Sequence, residues 1–146
     1  MLKRLMPYAH AANVFEIDIE FFKYHKLTYL FLDLDNTLES HDIKLPSERT
    51  INFIETLKNN NITPVIISNN RGKRVSVYAE ALGIDYVKRA GKPFSLNIKK
   101  YIKQKNIDKN RVFMVGDQMF TDISSANGAK IKSILVDKIV NSDQFV

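Results

Sequence analysis

Residues 30–38 of this 146-residue chain read Leu-Phe-Leu-Asp-Leu-Asp-Asn-Thr-Leu, and this stretch decides the fold. Its apolar first half is typical of a buried strand, and that strand runs directly into two acidic residues, Asp33 and Asp35. In an open α/β sheet, ligands bind outside the carboxyl ends of the strands, so both carboxylates stand where a site is expected. An Asp-x-Asp pair alone is weak evidence of function, because Asp is also common in turns.

Short β-rich runs alternate with segments of helical periodicity from Lys26 onward. This alternation predicts βαβ units, and therefore an α/β fold with a parallel sheet. The predicted strands cover residues 27–32, 63–67, 85–87, 112–115 and 133–136. We expect these five strands to form the middle layer of a single Rossmann-like domain with three layers.

A helix is predicted in each interval between these strands, because apolar residues recur there at helical spacing. The second helix is expected to end at Gly83, since glycine readily adopts the left-handed conformation that follows many helices. The third is expected to begin near Pro93, and its spacing predicts that Phe94 and Ile98 are buried.

The chain length fits one domain. We expect residues 1–26 to be an N-terminal arm that packs on the core, residues 27–138 to be the core itself, and residues 139–146 to be a C-terminal tail. The apolar residues between Val14 and Phe22 favour packing of the arm against the sheet edge. Contact of the first residues with a membrane, through Leu2, Leu5 and Met6, is the alternative.

The composition excludes several classes of function. There is no cysteine, so thiolate catalysis and disulfide bonds are excluded. The apolar stretches fall far short of the roughly 20 residues that a membrane-spanning helix needs. We therefore expect a cytoplasmic protein. Peripheral contact with the inner face of the membrane is compatible with this expectation. The net charge of +6 favours an anionic partner, which a phosphorylated substrate, a membrane surface or nucleic acid would each provide.

Further polar residues follow the other predicted strands, each directly after its own strand. Ser68 follows the second strand, Lys92 follows the third, and Gly116 with Asp117 and Asp122 follows the fourth. The carboxyl ends of parallel strands meet at one edge of a sheet, so these side chains are expected to join Asp33 and Asp35 there.

In order and spacing, these residues resemble the four motifs of the haloacid dehalogenase superfamily in its phosphatase form. The motif D-x-D-x-T corresponds to Asp33, Asp35 and Thr37, and the motif G-D-x-x-x-x-D begins at Gly116. The resemblance covers about residues 27–136. Within the superfamily, the phrases around Asp33, Ser68 and Gly116 are similar to the YqeG-type branch (subfamily IIIA), which is itself similar to mitochondrial phosphatidylglycerophosphate phosphatases.

The resemblance implies a role for each of these residues. Asp33 would be the nucleophile that attacks phosphorus, and Asp35 would be the general acid and base. The residues implied to bind the phosphoryl group are Thr37, Ser68, Asn69 and Lys92. The implied Mg²⁺ ligands are Asp33, the backbone carbonyl of Asp35, Asp117 and Asp122.

The resemblance also implies the reaction, namely magnesium-dependent hydrolysis of a phosphomonoester. The intervals between the motifs leave no room for a cap domain, so the site is expected to be open to a bulky substrate. A phospholipid head group is favoured, with conversion of phosphatidylglycerophosphate to phosphatidylglycerol as the concrete case. The alternatives are phosphorylated nucleic-acid ends, phosphoproteins and a non-catalytic phospho-accepting scaffold.

Overall fold

The computed structural model describes residues 2–139, which form one parallel β-sheet between two layers of helices. The spatial order of the strands is β1-β6-β5-β2-β3-β4, and every neighbouring pair is parallel. The strands are β1 (Ala9–Ala11), β2 (Tyr29–Leu32), β3 (Thr63–Ile67), β4 (Asp85–Val87), β5 (Val112–Gly116) and β6 (Lys132–Val136).

Five α-helices in the described part of the chain cover the two faces of the sheet. They are α1 (Ile19–Tyr24), α2 (Glu48–Asn59), α3 (Lys73–Leu82), α4 (Leu96–Gln104) and α5 (Ser124–Gly128). Helices α1 to α3 pack on one face, and α4 and α5 pack on the other. Short 3-10 turns lie at Leu2–Leu5, Val14–Glu16 and Lys109–Arg111, and a π-helical turn at Met119–Ile123 leads into α5.

The alternation of side chains along β2 explains why the sheet needs helices on both faces. Leu30 and Leu32 point into the core on the side of α1 to α3, whereas Phe31 points into the core under α4 and α5. All three side chains are fully buried. A strand that is buried on both faces has a continuous run of apolar residues, which is why the sequence of residues 30–32 predicts a strand.

The predicted α/β class and all five predicted strands are confirmed. The structure also shows what fixes two helix boundaries, of which the end at Gly83 was predicted. The hydroxyl of Ser47 accepts a hydrogen bond from the Thr50 amide at 3.3 Å and so caps the start of α2. Gly83 ends α3 in the left-handed conformation with φ of 66°.

The predicted number of strands was wrong, because residues 2–139 form a sheet of six strands and not five. The additional strand, β1, lies in the N-terminal arm and pairs with β6 at the edge of the sheet. Its sequence is only Ala-His-Ala, a run too short to predict a strand. Backbone pairing forms this strand, as in the 2.9 Å hydrogen bond from the Tyr8 amide to the Ser133 carbonyl beside it.

The predicted burial of Phe94 was also wrong, since this side chain is 76% exposed. Helix α4 begins at Leu96, so Phe94 lies in the connection before the helix and is not on its apolar stripe. Ile98, Tyr101 and Ile102 are the residues that α4 buries.

Residues at both ends of the chain contact the central part. Val14 and Phe22 of the arm are fully buried in the same cluster as the β2 and α2 side chains. The Ile139 amide donates to the Asn36 carbonyl at 2.8 Å. The rest of the predicted tail, residues 140–146, and the side chain of Leu2 lie outside the described residues. The described residues contain no helix long and apolar enough to cross a membrane.

The order of the strands creates a crevice at the carboxyl end of β2. From β2 the chain adds β3 and β4 on one side, and it then crosses to place β5 and β6 on the other side. At such a reversal the connections diverge and leave space above the sheet. Within residues 2–139, no helix or strand is inserted between β2 and α2 or between β3 and α3, so the described residues place no cap element over this space.

Candidate active site

The polar residues predicted from the sequence meet at the carboxyl edge of the sheet. Asp33 directly follows β2, Ser68 directly follows β3, and Asp117 directly follows β5. Lys92 comes from the connection between β4 and α4, and Asp122 comes from the π-helical turn after β5. Five side chains that are up to 89 positions apart in the sequence thereby share one site.

Lys92 is the centre of this site. Its ammonium donates to Asp33 Oδ1 at 2.8 Å, to Asp122 Oδ1 at 2.6 Å and to the Ile67 carbonyl at 3.0 Å. Its side chain is only 3% exposed, and three acceptors match its three N–H groups. A buried charge needs such pairing, because an unpaired ammonium would lose its hydration without compensation.

The carboxylates keep Lys92 protonated. Burial by itself lowers the pKa of the Lys92 ammonium, but the negative charges of Asp33 and Asp122 outweigh that effect and raise the pKa above its usual range. Lys92 is therefore a positive charge at the floor of the site at neutral pH.

Negative charge exceeds positive charge in the site. Carboxylate oxygens of Asp33, Asp117 and Asp122 lie within 4.8 Å of one another. Burial, followed by repulsion from Asp33 and Asp122, raises the pKa of Asp117 to about 7. Burial and repulsion from Asp33 raise the pKa of Asp122 to about 6, although Lys92 opposes the shift. One ammonium does not neutralise three carboxylates, so the site favours a further cation.

Thr37 connects the two halves of the acidic cluster. Its hydroxyl lies 3.2 Å from Asp33 Oδ2 and 3.4 Å from Asp117 Oδ1. The chain reaches this position through a tight turn in which Asn36 has φ of 65°, a left-handed conformation that Asn tolerates better than most residues. The Asp-Asn-Thr sequence thus serves the turn as well as the site.

Ser68 and Asn69 organise the side of the site that faces Lys92. The Ser68 hydroxyl accepts a hydrogen bond from the Asn70 amide at 3.1 Å. The Asn69 side chain donates to the Lys92 carbonyl at 2.9 Å and accepts from the Lys92 amide at 2.8 Å. Asn69 therefore braces the backbone that carries Lys92, and its predicted contact with a phosphoryl group stays a prediction.

Asp35 lies outside the cluster of three carboxylates. Its Oδ1 atom forms an ion pair with Arg74 Nη1, from the first turn of α3. Binding of a metal through the Asp35 backbone carbonyl stays a prediction. The sequence reasoning missed Arg74 as a site residue. A usable signal existed, because a helix that follows a strand starts at the carboxyl edge of the sheet and its first turn borders any site there.

Glu39 is a second residue that the sequence reasoning missed. It is 2% exposed, and its Oε2 atom accepts hydrogen bonds from the Ser47 amide at 2.8 Å, Thr50 Oγ1 at 3.3 Å and the Tyr78 hydroxyl at 2.9 Å. These contacts fasten the turn after Asp35 to α2 and α3. Burial and the Glu39 charge raise the pKa of Tyr78 above its usual range, so its hydroxyl stays a donor.

The cavity above the acids is small and open. Its volume is about 140 Å³, and it is lined by Asp33, Asp35, Ser68, Asn69, Asn70, Lys92, Gln118, Thr121 and Asp122. A space of this size holds little more than a small anion and its nearest atoms. The arrangement can therefore bind a compact group between one ammonium and several carboxylates, while the rest of a larger ligand lies outside.

Comparisons with known proteins agree with this geometry. The family model described as HAD-hydrolase-like matches residues 89–144. The whole chain is similar to Probable phosphatase YqeG of Bacillus subtilis (strain 168), with 32% identity over 147 residues that cover 86% of that protein.

Solved structures share the fold at low identity. The cobalt-bound deoxy-D-mannose-octulosonate 8-phosphate phosphatase of Haemophilus influenzae has a TM-score of 0.59 and 15% identity, with 80% of this chain and 81% of that chain covered. The corresponding phosphatase of Moraxella catarrhalis, solved with magnesium, phosphate and its sugar, has a TM-score of 0.53 and 21% identity, with 67% of this chain and 62% of that chain covered.

The close approach of Gly116 to Asp122 gives a first testable prediction. A Cβ atom added at Gly116 would overlap the Cβ, Cγ and Oδ2 atoms of Asp122. Gly116→Ala should therefore displace Asp122 from Lys92 and lower the free energy of unfolding by about 1–3 kcal/mol, as measured by urea denaturation. Gly72→Ala is the matched control, because its Cβ would meet only Asn70 Oδ1 at 3.5 Å. Equal stability of the two variants would contradict the packing described here.

Proposed function

The chain belongs to the haloacid dehalogenase-like hydrolases and is a phosphatase of that family, and we propose that it hydrolyses a phosphomonoester through an aspartyl-phosphate on Asp33 with the help of Mg²⁺. One observation carries the proposal. The Asp33 carboxylate lies at the strand edge, and both its oxygens accept hydrogen bonds, from Lys92 and Thr37. An oriented, largely buried carboxylate beside a fixed cation is what an attack on a phosphate dianion requires.

In the first half of the reaction, a carboxylate oxygen of Asp33 forms a bond to phosphorus while the bond from phosphorus to the leaving oxygen breaks. As that bond breaks, a proton passes from the Asp35 carboxyl group to the leaving oxygen. The products are the free alcohol and phosphorylated Asp33. Lys92 stabilises the charge on the phosphoryl oxygens, since its ammonium lies 2.8 Å from Asp33.

In the second half, water attacks the phosphorus of the aspartyl-phosphate. Asp35, now a carboxylate, removes the proton from that water as the new oxygen–phosphorus bond forms and the bond to Asp33 breaks. Inorganic phosphate leaves, and both aspartates return to their starting states. Asp35 lines the cavity next to Asp33, so one side chain can serve both proton transfers.

The acidic cluster fits a hard divalent cation. Asp33, Asp117 and Asp122 provide only oxygen ligands, the kind that Mg²⁺ prefers, and their excess negative charge favours a cation. When bound, Mg²⁺ supplies positive charge that offsets the repulsion between the Asp33 carboxylate and the phosphate dianion. We assign these three side chains as its ligands.

The pH dependence of stability tests this assignment. Without metal, Asp117 and Asp122 have pKa values raised to about 7 and about 6, so they bind protons more tightly when folded than when unfolded. Their contribution to stability is fully present below about pH 4 and is lost as pH rises to about 7. Excess Mg²⁺ should then raise Tm by about 5 °C or more at about pH 8 and much less at about pH 5.

Asp117→Asn is the control for that experiment. The neutral amide removes one ligand and one repelling charge, so the Mg²⁺-dependent rise in Tm at high pH should shrink. An equal rise in the parent protein at both pH values would contradict binding of the cation by these carboxylates.

Asp33→Asn tests the nucleophile. The amide preserves the size of the side chain but cannot form the covalent bond to phosphorus, so kcat should fall on the order of a thousandfold or more at an unchanged fold. Turnover of p-nitrophenyl phosphate and the melting temperature measure the two effects. Asp108→Asn is the matched control and should retain turnover, because Asp108 lies before β5, at the amino edge of the sheet and opposite the site. Near-parental turnover by a folded Asp33→Asn protein would refute the mechanism.

We favour a phospholipid head group as the substrate, most concretely phosphatidylglycerophosphate. The cavity holds little beyond the phosphoryl group, and nothing within residues 2–139 covers it. Large apolar side chains are exposed beside residues that line it: Phe94, two positions after Lys92, is 76% exposed, and Phe120, just before Thr121, is 73% exposed. An apolar rim of this kind suits contact with a lipid surface better than contact with a small soluble ester.

Positive charge supports the same choice. Arg71 and Lys73 follow the Ser68–Asn70 segment, and the Arg89 amide donates to the Asn70 carbonyl at 3.1 Å, so these basic residues border the cavity. All three are exposed, and none forms an ion pair within residues 2–139. Unneutralised cations near an anionic bilayer add about 1 kcal/mol of attraction each.

The double variant Phe94→Ser with Phe120→Ser tests the substrate class. It should lower turnover of phosphatidylglycerophosphate in anionic vesicles by about tenfold, because burial of two aromatic side chains in the interface is lost. Turnover of p-nitrophenyl phosphate should change by less than about twofold, since the acids and Lys92 stay in place. Tyr24→Ser is the control, because this side chain is 80% exposed and lies before β2, at the amino edge of the sheet and opposite the site. Parental lipid turnover would remove the support for a membrane surface and favour nucleic-acid ends or phosphoproteins.

A further inference from the structure

Arg74 contacts Asp35, one of the two proposed catalytic aspartates. Asp35 itself lies outside the cluster of three carboxylates. Its Nη1 atom forms an ion pair with Asp35 Oδ1. Its Nε and Nη2 atoms donate to the Ile43 carbonyl at 3.0 and 2.8 Å, and Nη2 also lies 3.3 Å from the Ser40 carbonyl. The Arg74 side chain is 16% exposed and the Asp35 side chain 34% exposed, so solvent screens this pair less than an ion pair on the open surface.

We propose that Arg74 is a positioning residue that holds the Asp35 carboxylate in the orientation needed for proton transfer. The proposal rests on the proposed function, because Asp35 needs this orientation only if it is the general acid and base. The step that Arg74 assists is transfer of the Asp35 proton to the leaving oxygen as the bond from that oxygen to phosphorus breaks, and later the transfer of a proton from water back to Asp35.

The hydrogen-bond pattern of Asp35 separates its two oxygens. Oδ1 is held by Arg74, whereas Oδ2 accepts no hydrogen bond from any residue in the range 2–139. Asp35 nevertheless lines the cavity. Arg74 thus fixes one oxygen and leaves the other for the proton that moves during the reaction. A carboxylate without this contact would rotate about its side-chain bonds and spend less time in the reactive geometry.

The identity of the residue matters because three acceptors are contacted at once. A guanidinium has a planar fork of five N–H groups, so it can reach Asp35 and two backbone carbonyls together, whereas an ammonium is a single point of charge. The Arg74 backbone lies in the first turn of α3, and its guanidinium contacts the connection that follows Asp35. It therefore ties Asp35 and residues 40–43 to a helix that is anchored in the core.

A purely structural role for Arg74 is the competing explanation. In that case Arg74 would only fix residues 40–43, and its loss would slow all substrates equally. A role in positioning Asp35 predicts a difference between leaving groups. An alkyl alcohol is a poor leaving group and needs a proton from Asp35, whereas p-nitrophenol leaves without one.

The experiment compares kcat/KM of Arg74→Gln on an alkyl phosphate and on p-nitrophenyl phosphate. We expect the alkyl phosphate to lose at least about tenfold more than the phenyl ester, with the melting temperature reported alongside. Lys109→Gln is the matched control, because it removes one positive charge from an exposed position in the turn before β5, outside the cavity, and should show no difference between the esters. Equal losses on both esters for Arg74→Gln, or no loss, would overturn the proposal.

Two further measurements keep the test decisive if Arg74→Gln folds poorly. Arg74→Lys retains the charge but not the fork, and it should show the same selective loss on the alkyl ester. Guanidinium ion added to Arg74→Ala should restore turnover of the alkyl phosphate more than turnover of the phenyl ester. Restoration of both to the same extent would indicate the structural role.

A double-mutant cycle separates failure of this inference from failure of the proposed function. Asp35→Asn should show the selective loss on the alkyl ester, and adding Arg74→Gln to it should cost little more, because both act through one carboxyl group. If Asp35→Asn shows the selectivity and Arg74→Gln does not, only the role of Arg74 is refuted. If Asp35→Asn itself shows no selectivity, the acid–base role of Asp35 fails, and the role of Arg74 fails with it.

Discussion

The buried ammonium of Lys92 is the interaction on which the rest of the site depends. Three carboxylates converge at the carboxyl edge of the sheet, and without a cation among them their repulsion and desolvation would oppose folding. Lys92 satisfies Asp33 and Asp122 directly, and Asn69 holds the Lys92 backbone in place. Lys92 offsets only part of the negative charge of these three carboxylates, which is why the cluster favours a further cation.

The proposed nucleophile and the proposed acid and base are held in place by different elements of the fold. Asp33, which we propose as the nucleophile, directly follows β2, a strand with β5 on one side and β3 on the other. Asp35 lies two residues further on, in a turn that requires bracing by Glu39 and Arg74. The proposed nucleophile is thus held by the sheet, and the proposed acid and base is held by α2 and α3. An open cavity then leaves recognition of the substrate to its exposed rim.

The sequence predicts those parts of the molecule in which local pattern and function coincide. Buried strands such as residues 30–32 are apolar throughout, and acids placed directly after a strand end reveal the site edge. Features that depend on a distant partner leave no such pattern. Strand β1 exists because its backbone pairs with β6, and the contact of Arg74 with Asp35 depends on how α3 packs. Burial of Phe94 was wrongly predicted, because the sequence does not distinguish an apolar residue on the buried stripe of a helix from one on an exposed rim.

The account depends most on a covalent phosphate on Asp33, and acid quenching during turnover tests this directly. Parent enzyme mixed with a ³²P-labelled phosphomonoester and Mg²⁺ should yield labelled protein whose phosphate is stable in acid and released by hydroxylamine, as expected of an acyl phosphate. Peptide mapping should place the label on the fragment that contains Asp33, and Asp33→Asn should carry none. Release of the alcohol product within the first catalytic cycle without any labelled protein, or a label on another residue, would contradict the account.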